Sequence, residues 1–514
     1  MKDSTQNNNS KSSFYLMIFT LLSRLLGIVK ARVITSVFGA GLTADVINTA
    51  YYLPNNFRKL FAEGAMNTAF IPSLSKIEAK KDRNTLLSLI MSFQIILFIL
   101  LILVFSIFGT QIFSFISDFN SEGTVLGGQL LPYFIVFLAL ISLSTIFASI
   151  LQYEKKFLPY GIAPLFFNIV LIFFVYNFND TLGAMSMAYG VVISSAVQLV
   201  FTLIFVLKLD YRVHISLLFK NEEFRHVLKV WLQIILSNLA LLASQQYSAY
   251  LSTTLSTGSA TAFSNSMIFF SAPYGIIFTG IATVSFPDLS RFFVDKDEKS
   301  FRKSLSDASD SMLFLFIPAS IALMALSKET VAVVLQNGLF TYDDTLLTAN
   351  ILYHFLAGLT IVGLNGLMIR AALSRSRSKL TLKVTVIQAS LDALLSYLMI
   401  KNGIGIKSLA IANNISASAA LIIYLYFLHD SFDFKHFFKT LLRTMLLNVP
   451  LVIGMYVYHS TSPLWFVDGS TLRNFLIFLA IGLLSILITI VMYLINRVPI
   501  FDFLKKTKKR RFNQ

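Results

Sequence analysis

Residues 86–113 read LLSLIMSFQIILFILLILVFSIFGTQIF, with no Asp, Glu, Lys or Arg among them. Roughly 20 mostly apolar residues suffice for a helix to cross a bilayer core of about 30 Å. In lipid the backbone has to satisfy its own N–H and C=O groups, so the stretch predicts a membrane-spanning helix. A barrel strand would be short and alternating, and this run is long and continuous. The same signature recurs at 14–38, 44–73, 126–153, 159–179, 183–207, 228–255, 262–286, 304–327, 345–373, 382–400, 405–428, 440–459 and 472–496. Composition agrees: 56% of the 514 residues are hydrophobic and 13% are charged, against about 25% charged in soluble domains. That balance excludes a soluble multidomain enzyme, a disordered chain and a fibre. The expected fold class is an all-α polytopic membrane protein of about fourteen transmembrane helices.

Loop charges give the orientation. With the N-terminus cytoplasmic, 32 of the 42 Lys and Arg residues fall on cytoplasmic segments. Only Lys401, Lys407 and Arg473 fall on the opposite side. An error of one span would scramble that alternation, so both termini are expected in the cytoplasm. The net charge of +16 is therefore read first as topology rather than as a nucleic-acid footprint. The polar stretch 1–13 lacks the order of a signal peptide and reads as a tail. The basic cluster within 497–514 reads as an anchor on anionic headgroups. There are no cysteines, which excludes disulfide and thiolate chemistry.

An internal echo suggests halves. Phe70-Ile71-Pro72-Ser73-Leu74-Ser75-Lys76 closes the second apolar segment, and Ser285-Phe286-Pro287-Asp288-Leu289-Ser290-Arg291 closes the eighth. Each follows an upstream proline, Pro54 and Pro273. The expected organisation is two six-helix lobes in parallel, an N-lobe at 14–208 and a C-lobe at 225–429, with two further helices at 440–496.

Chemistry is sought among charges inside the spans. No G-x-x-x-x-G-K-[ST], H-E-x-x-H or G-x-S-x-G occurs, so neither a P-loop ATPase nor a familiar hydrolase motif is present and no metal site is expected. Arg24, Lys30 and Arg32 fall in the first span, and Asp45, Arg58, Lys59 and Glu63 in the second. Ionised groups in hydrocarbon are costly and should face a cavity or one another. The set is net positive, which suits an anion, above all a phosphate. Lys59 and Arg32 have snorkelling to an interface as their alternative reading. Gln388 and Asp392 sit four apart on the eleventh span, with Asn238 on the seventh. Such oxygens suit Na⁺ or a proton relay, and a polar helix contact is the plainer reading.

These residues carry a resemblance. Ser23-Arg24-Leu25-Leu26-Gly27, Phe38-Gly39-Ala40-Gly41 with Ala44-Asp45, and the run Leu53 to Ala65 ending at Ala69-Phe70-Ile71-Pro72 resemble the opening of the MurJ (MviN) family. Lys156-Phe157-Leu158-Pro159 with Ala163-Pro164 and Asn168, and Arg370-Ala371-Ala372, resemble later landmarks of the same family. The resemblance implies membership of the multidrug/oligosaccharidyl-lipid/polysaccharide exporter superfamily. It implies a lipid II flippase of the bacterial cytoplasmic membrane, acting in peptidoglycan synthesis by alternating access and not as an enzyme. It implies Arg24, Lys30 and Arg58 as substrate contacts and Asp45 and Glu63 as gating or salt-bridge groups. The last two helices would form a groove for the polyprenyl tail. One departure stands out. Ile268 and Ser271 occupy places where the family usually carries an Arg and an acidic residue, and Arg370 is a candidate replacement cation. Expected partners are lipid II, membrane lipids and the cell wall synthesis machinery, with no nucleic acid. The expected drive is a Na⁺ or H⁺ gradient or the membrane potential, with no bound cofactor. Related exporters of other polyprenyl-linked sugars or of drugs are the alternative, although a drug exporter should present net acidic groups. A membrane scaffold or lipid-modifying enzyme lacks the convergent catalytic groups or the need for cavity charges.

Overall fold

The computed structural model describes residues 19, 22–23, 25–61, 65–465 and 471–498. Among them, nine helices are long and apolar enough to cross a membrane, or twelve if each of three bent helix pairs is one span. The expected fourteen exceeds that number. Segment 14–38 begins outside the described residues, and of segment 44–73 residues 62–64 lie outside them, with helix on either side.

Two compact units divide the chain. The first holds Met1–Thr261 and Val334–Asp344. Its helices are residues 25–38 (α1), Leu42–Phe61 (α2), Ala65–Lys76 (α3), Lys80–Ile116 (α4), Ser121–Tyr153 (α5), Phe157–Leu182 (α6), Met185–Leu207 (α7) and Glu222–Thr253 (α8). Loop residues fix where these begin. Asn120 accepts from the Gly123 amide at 2.9 Å and Asn221 from the Phe224 amide at 3.0 Å, each satisfying one orphan donor of the helix it opens.

Two clusters fill this unit. One, around Val46, Phe113, Phe134, Leu171 and Val191, joins α2, α4, α5, α6 and α7. The other, around Phe70, Leu86, Phe147, Tyr211 and Trp231, joins α3, α4 and α5 to α8 and the segment before it. That segment is strapped to α4, because the amides of His214 and Ser216 donate to the hydroxyls of Ser88 and Ser92 at 3.1 and 2.9 Å. Tyr211 donates to Glu154 at 2.6 Å, and burial together with that carboxylate raises its phenol above the usual range. The seventh span, grouped with the C-lobe on sequence, thus packs inside the first unit. Trp231 carries the attachment: its indole N–H donates to the Leu60 carbonyl at 2.9 Å, in the last turn of α2. Trp231→Phe strands that buried carbonyl at a cost of roughly 1–3 kcal/mol. The purified variant should therefore melt several degrees below the parent protein, and an unchanged melting temperature would show the attachment to be dispensable.

The second unit, Ala262–Val333 and Thr345–Gln514, carries most of Ser259–Val294 (α9), then Glu298–Ala325 (α10), Ser327–Leu335 (α11), Tyr342–Ala357 (α12), Leu359–Ser374 (α13), Ser378–Lys401 (α14), Lys407–Phe427 (α15), a 3₁₀ turn at His429–Ser431, Phe434–Leu447 (α16), Val449–Trp465 (α17) and Thr471–Ile495 (α18). Two of the expected spans, 345–373 and 440–459, are bent helix pairs. α12 and α13 meet at 47° at Gly358, where a Cβ would fall 1.8 Å from the Asn414 amide oxygen. α16 and α17 meet at 40° at Asn448. Its amide donates to Thr444 O and to Tyr493 Oη, and Tyr493 in turn donates to Phe314 O at 2.9 Å. The last helix is pinned to α10 through that relay. The prolines of the echo all lie inside helix: Pro54 in α2, Pro72 in α3, and Pro273 and Pro287 in α9.

Candidate functional site

The first unit brings two of the charges that sequence places near its start, Lys30 and Arg58, within range of each other. Lys30, on α1, is half-buried, with its ammonium 5.7 Å from the Phe167 ring centroid. Arg58 is close enough for its charge to act on Lys30. The Arg58 Nε donates to Asn55 Oδ1 at 3.2 Å, and one residue on, about 100° around the helix, Lys59 donates to Asn56 Oδ1 at 3.2 Å. α2 stays helical through the buried Pro54, so Asn55, Asn56, Arg58 and Lys59 are held on a regular frame. Two like charges at short range repel, and an anion between them relieves that repulsion. Arg24 and Glu63 lie outside the described residues.

Asp45 is 2% exposed. One carboxylate oxygen accepts the Gly258 amide at 2.6 Å and the other the Thr261 amide at 2.7 Å. Those amides open α9, where helix donors have no intrahelical partner and the macrodipole is positive. Asn48, one turn along α2, donates to Thr261 Oγ1 at 3.1 Å. A second attachment lies nearby in sequence. The strap Val334–Asp344 groups with the first unit, although the residues on both sides of it belong to the second. Its Leu339 amide donates to Ser36 O at 2.9 Å, and Arg32 donates to Val334 O at 3.1 Å. Gly39 and Gly338 make that approach feasible. Their φ values are +63° and +59°, and a Cβ would fall 2.7 Å from Leu339 O and 2.3 Å from Ser36 O respectively.

In the second unit Arg370 is exposed, with its guanidinium 5.3 Å from the Phe286 ring centroid and its charge felt by Tyr274. Eighteen residues separate Phe286 from Ile268, roughly 27 Å of straight helix. Arg370 therefore does not stand in at the depth of Ile268. Ile268 and Ser271 are both exposed, and the Ser271 hydroxyl turns back to Ile268 O at 3.0 Å. Gln388 accepts from Asn365 at 3.1 Å, and Asp392, one turn on, is 6% exposed. Asn238 belongs to the first unit, where its amide bonds the Ile234 carbonyl at 2.8 Å. Among the described residues no group of three or more His, Cys, Asp or Glu side chains is placed to hold a metal ion.

Sequence reasoning missed the Leu339–Ser36 strap and the role of the Gly258 and Thr261 amides. The signals were present as turn glycines, Gly39, Gly258 and Gly338, but backbone donors leave no mark in side-chain chemistry.

Comparison with known proteins adds the following. The family described as "Lipid II flippase MurJ" matches residues 34–495. A Borreliella burgdorferi protein described as "Probable lipid II flippase MurJ" is 29% identical over 488 residues, covering 94% of this chain and 96% of that protein. One from Treponema pallidum with the same description is 29% identical over 383 residues, 72% of each chain. In fold, the chain is similar to a structure titled "Lipid II flippase MurJ, inward closed conformation", with TM-score 0.77, 23% identity and coverage of 94% and 98%. It is also similar to an inward-facing multidrug resistance MATE family transporter of the MOP superfamily, with TM-score 0.67, 12% identity and coverage of 82% and 95%.

Proposed function

This chain belongs to the lipid II flippase MurJ family, and from that premise we propose that it carries lipid II from the inner to the outer leaflet of the bacterial cytoplasmic membrane by alternating access, for cell wall synthesis. It is a multi-pass membrane protein of a transporter family, not of a catalytic one. The observation that carries the reading to a mechanism is the Lys30–Arg58 pair. Two cations, one on α1 and one in the last turn of α2, share one unit, and Lys30 is lodged over an aromatic ring. The diphosphate of a polyprenyl-diphosphate lipid is the anionic part that such a pair would recognise. Arg24 would join them, Glu63 would compete with substrate for them, and Arg370 would meet the substrate deeper toward the cytoplasm. The 440–496 helices would receive the prenyl tail.

Asp45 is the gating group in this proposal. A negative charge on the N-terminus of α9 is favourable by up to about 2 kcal/mol when partly buried. Asp45→Asn keeps the shape and loses the charge, so transport should fall roughly tenfold while protein level is unchanged. The inducer concentration needed to support growth of a flippase-depleted strain measures this, and growth at the parental concentration would remove Asp45 from the gate.

Both termini are placed in the cytoplasm by the charge of the loops. The drive would be an ion gradient, with Gln388 and Asp392 as the polar pair to test, or the membrane potential acting on the cationic site. No bound cofactor or ATPase motif enters the proposal. The cell wall synthesis machinery is the partner class that would consume the product. Fold likeness to MATE transporters leaves drug export as the second reading, and the sign of the Lys30–Arg58 pair argues against cationic drugs. Expression of this chain in a strain depleted of its own lipid II flippase should restore growth. Failure to restore it, with protein present in the membrane, would favour an exporter of another lipid-linked sugar.

A further inference from the structure

Two adjacent membrane helices of the first unit each carry a local break, one in backbone geometry and one only in the hydrogen-bond ladder of a continuous helix. In α4, Phe108 leaves helical geometry at φ −109° and ψ 17°. In α5, Pro132 has no N–H to give to the carbonyl four residues before it, that of Gly128. The two breaks face each other. A Cβ on Gly109 would lie 2.6 Å from Gly128 O, and one on Gly128 would lie 2.5 Å from Thr110 Oγ1 and 2.6 Å from Thr110 Cα. Beside this contact is a cavity of about 540 Å³, within the range of small-molecule sites. Irregular backbone at membrane depth is tolerated where it is buried in protein or lines a polar cavity.

The lining is uncharged and mixes polar groups with a larger apolar wall. Ser106, Thr110, Gln129 and Tyr133 supply hydroxyl, amide and phenol groups, while Ile102 and Val136 are among its apolar wall. Elsewhere on these helices hydroxyls fold back on a carbonyl one turn before, as Ser117 does on Phe113 O and Thr145 on Ile141 O. Ser106, Thr110 and Gln129 make no hydrogen bond among the described residues, and all three are exposed. Tyr133 meets Tyr189 edge to face at 5.1 Å, which fixes an aromatic wall. The rim continues onto exposed apolar residues of α4, Leu103 at 52% and Ile107 at 66%.

We propose that this cavity binds the uncharged glycosyl headgroup of a membrane amphiphile, with its chains lying along α4. Hydroxyls and a carboxamide both donate and accept, as sugar hydroxyls do. A phosphate headgroup would call for Arg or Lys, and the lining has neither. The proposal stands apart from the Lys30–Arg58 site and from the transport reading.

The test is native mass spectrometry of the purified full chain, in a detergent without a sugar head, given monoglucosyl-diacylglycerol and phosphatidylglycerol at equal concentration. The glucolipid adduct should dominate. Thr110→Val and Gln129→Leu should each lower it about tenfold while leaving phosphatidylglycerol binding unchanged, and dodecyl maltoside should displace it. Should either variant fail to fold, Ser106→Leu, which fills the cavity, gives the same readout. Equal adducts for the two lipids, or an undiminished glucolipid adduct in the folded variants, would overturn the proposal. Lipid II as competitor separates the sources of the headgroup: displacement assigns the site to the transported lipid's own sugars, and no displacement to a separate membrane glycolipid. Either result retains a glycosyl site.

Discussion

Arg58→Ala abolishes growth support in a strain that depends on this chain for lipid II flipping, with protein level unchanged. A cation held among helices is costly unless it faces a cavity or a counter-charge, and the charge of Arg58, in the last turn of α2, also acts on Lys30. The side chain is part-buried, and its bond to Asn55 lies within its own helix turn. Truncation removes a repulsion within the empty protein and the fork that would grip a diphosphate. Loss of a charge-assisted bidentate contact is worth a few kcal/mol, a hundredfold or more in rate. Arg58→Lys keeps the charge without the fork and should retain partial activity. Full growth with Arg58→Ala would remove the cationic pair from the mechanism.

A disulfide between Ser36→Cys and Leu339→Cys stops transport when oxidised and restores it when reduced. The Leu339 amide is 2.9 Å from Ser36 O, which caps the separation of the two Cα atoms at roughly 6.8 Å, inside disulfide range. The chain has no cysteine of its own, so the bond forms on a clean background. Glycines at 39 and 338 allow this backbone approach, and the transport proposal takes the strap, whose flanking residues group with the second unit, to part from α1 once per cycle. Cross-linked protein that still supports normal growth without reductant would show that the strap never has to open.

Much of this was legible in the sequence, and the boundary has physical causes. The run 86–113 announces α4 because hydropathy and length alone decide a span in lipid. Lys30 and Arg58 stand out because charge is scarce there. Their mutual approach does not, because two separate helices must pack to produce it. The seventh span sits in the first unit through the Trp231 bond to Leu60 and the strap on Ser88 and Ser92, contacts without sequence periodicity. The break at Gly358 depends on the side chain of Asn414, 56 positions away. Arg370 matched a family landmark, yet its depth beside Phe286 could only come from packing.

The central claim is that this chain moves lipid II outward. Depletion of the protein, followed by separate measurement of lipid II in each leaflet of the cytoplasmic membrane, tests it most directly. The account predicts that outer-leaflet lipid II falls while the inner-leaflet pool rises. Outer-leaflet lipid II that stays at its normal level after depletion would contradict it.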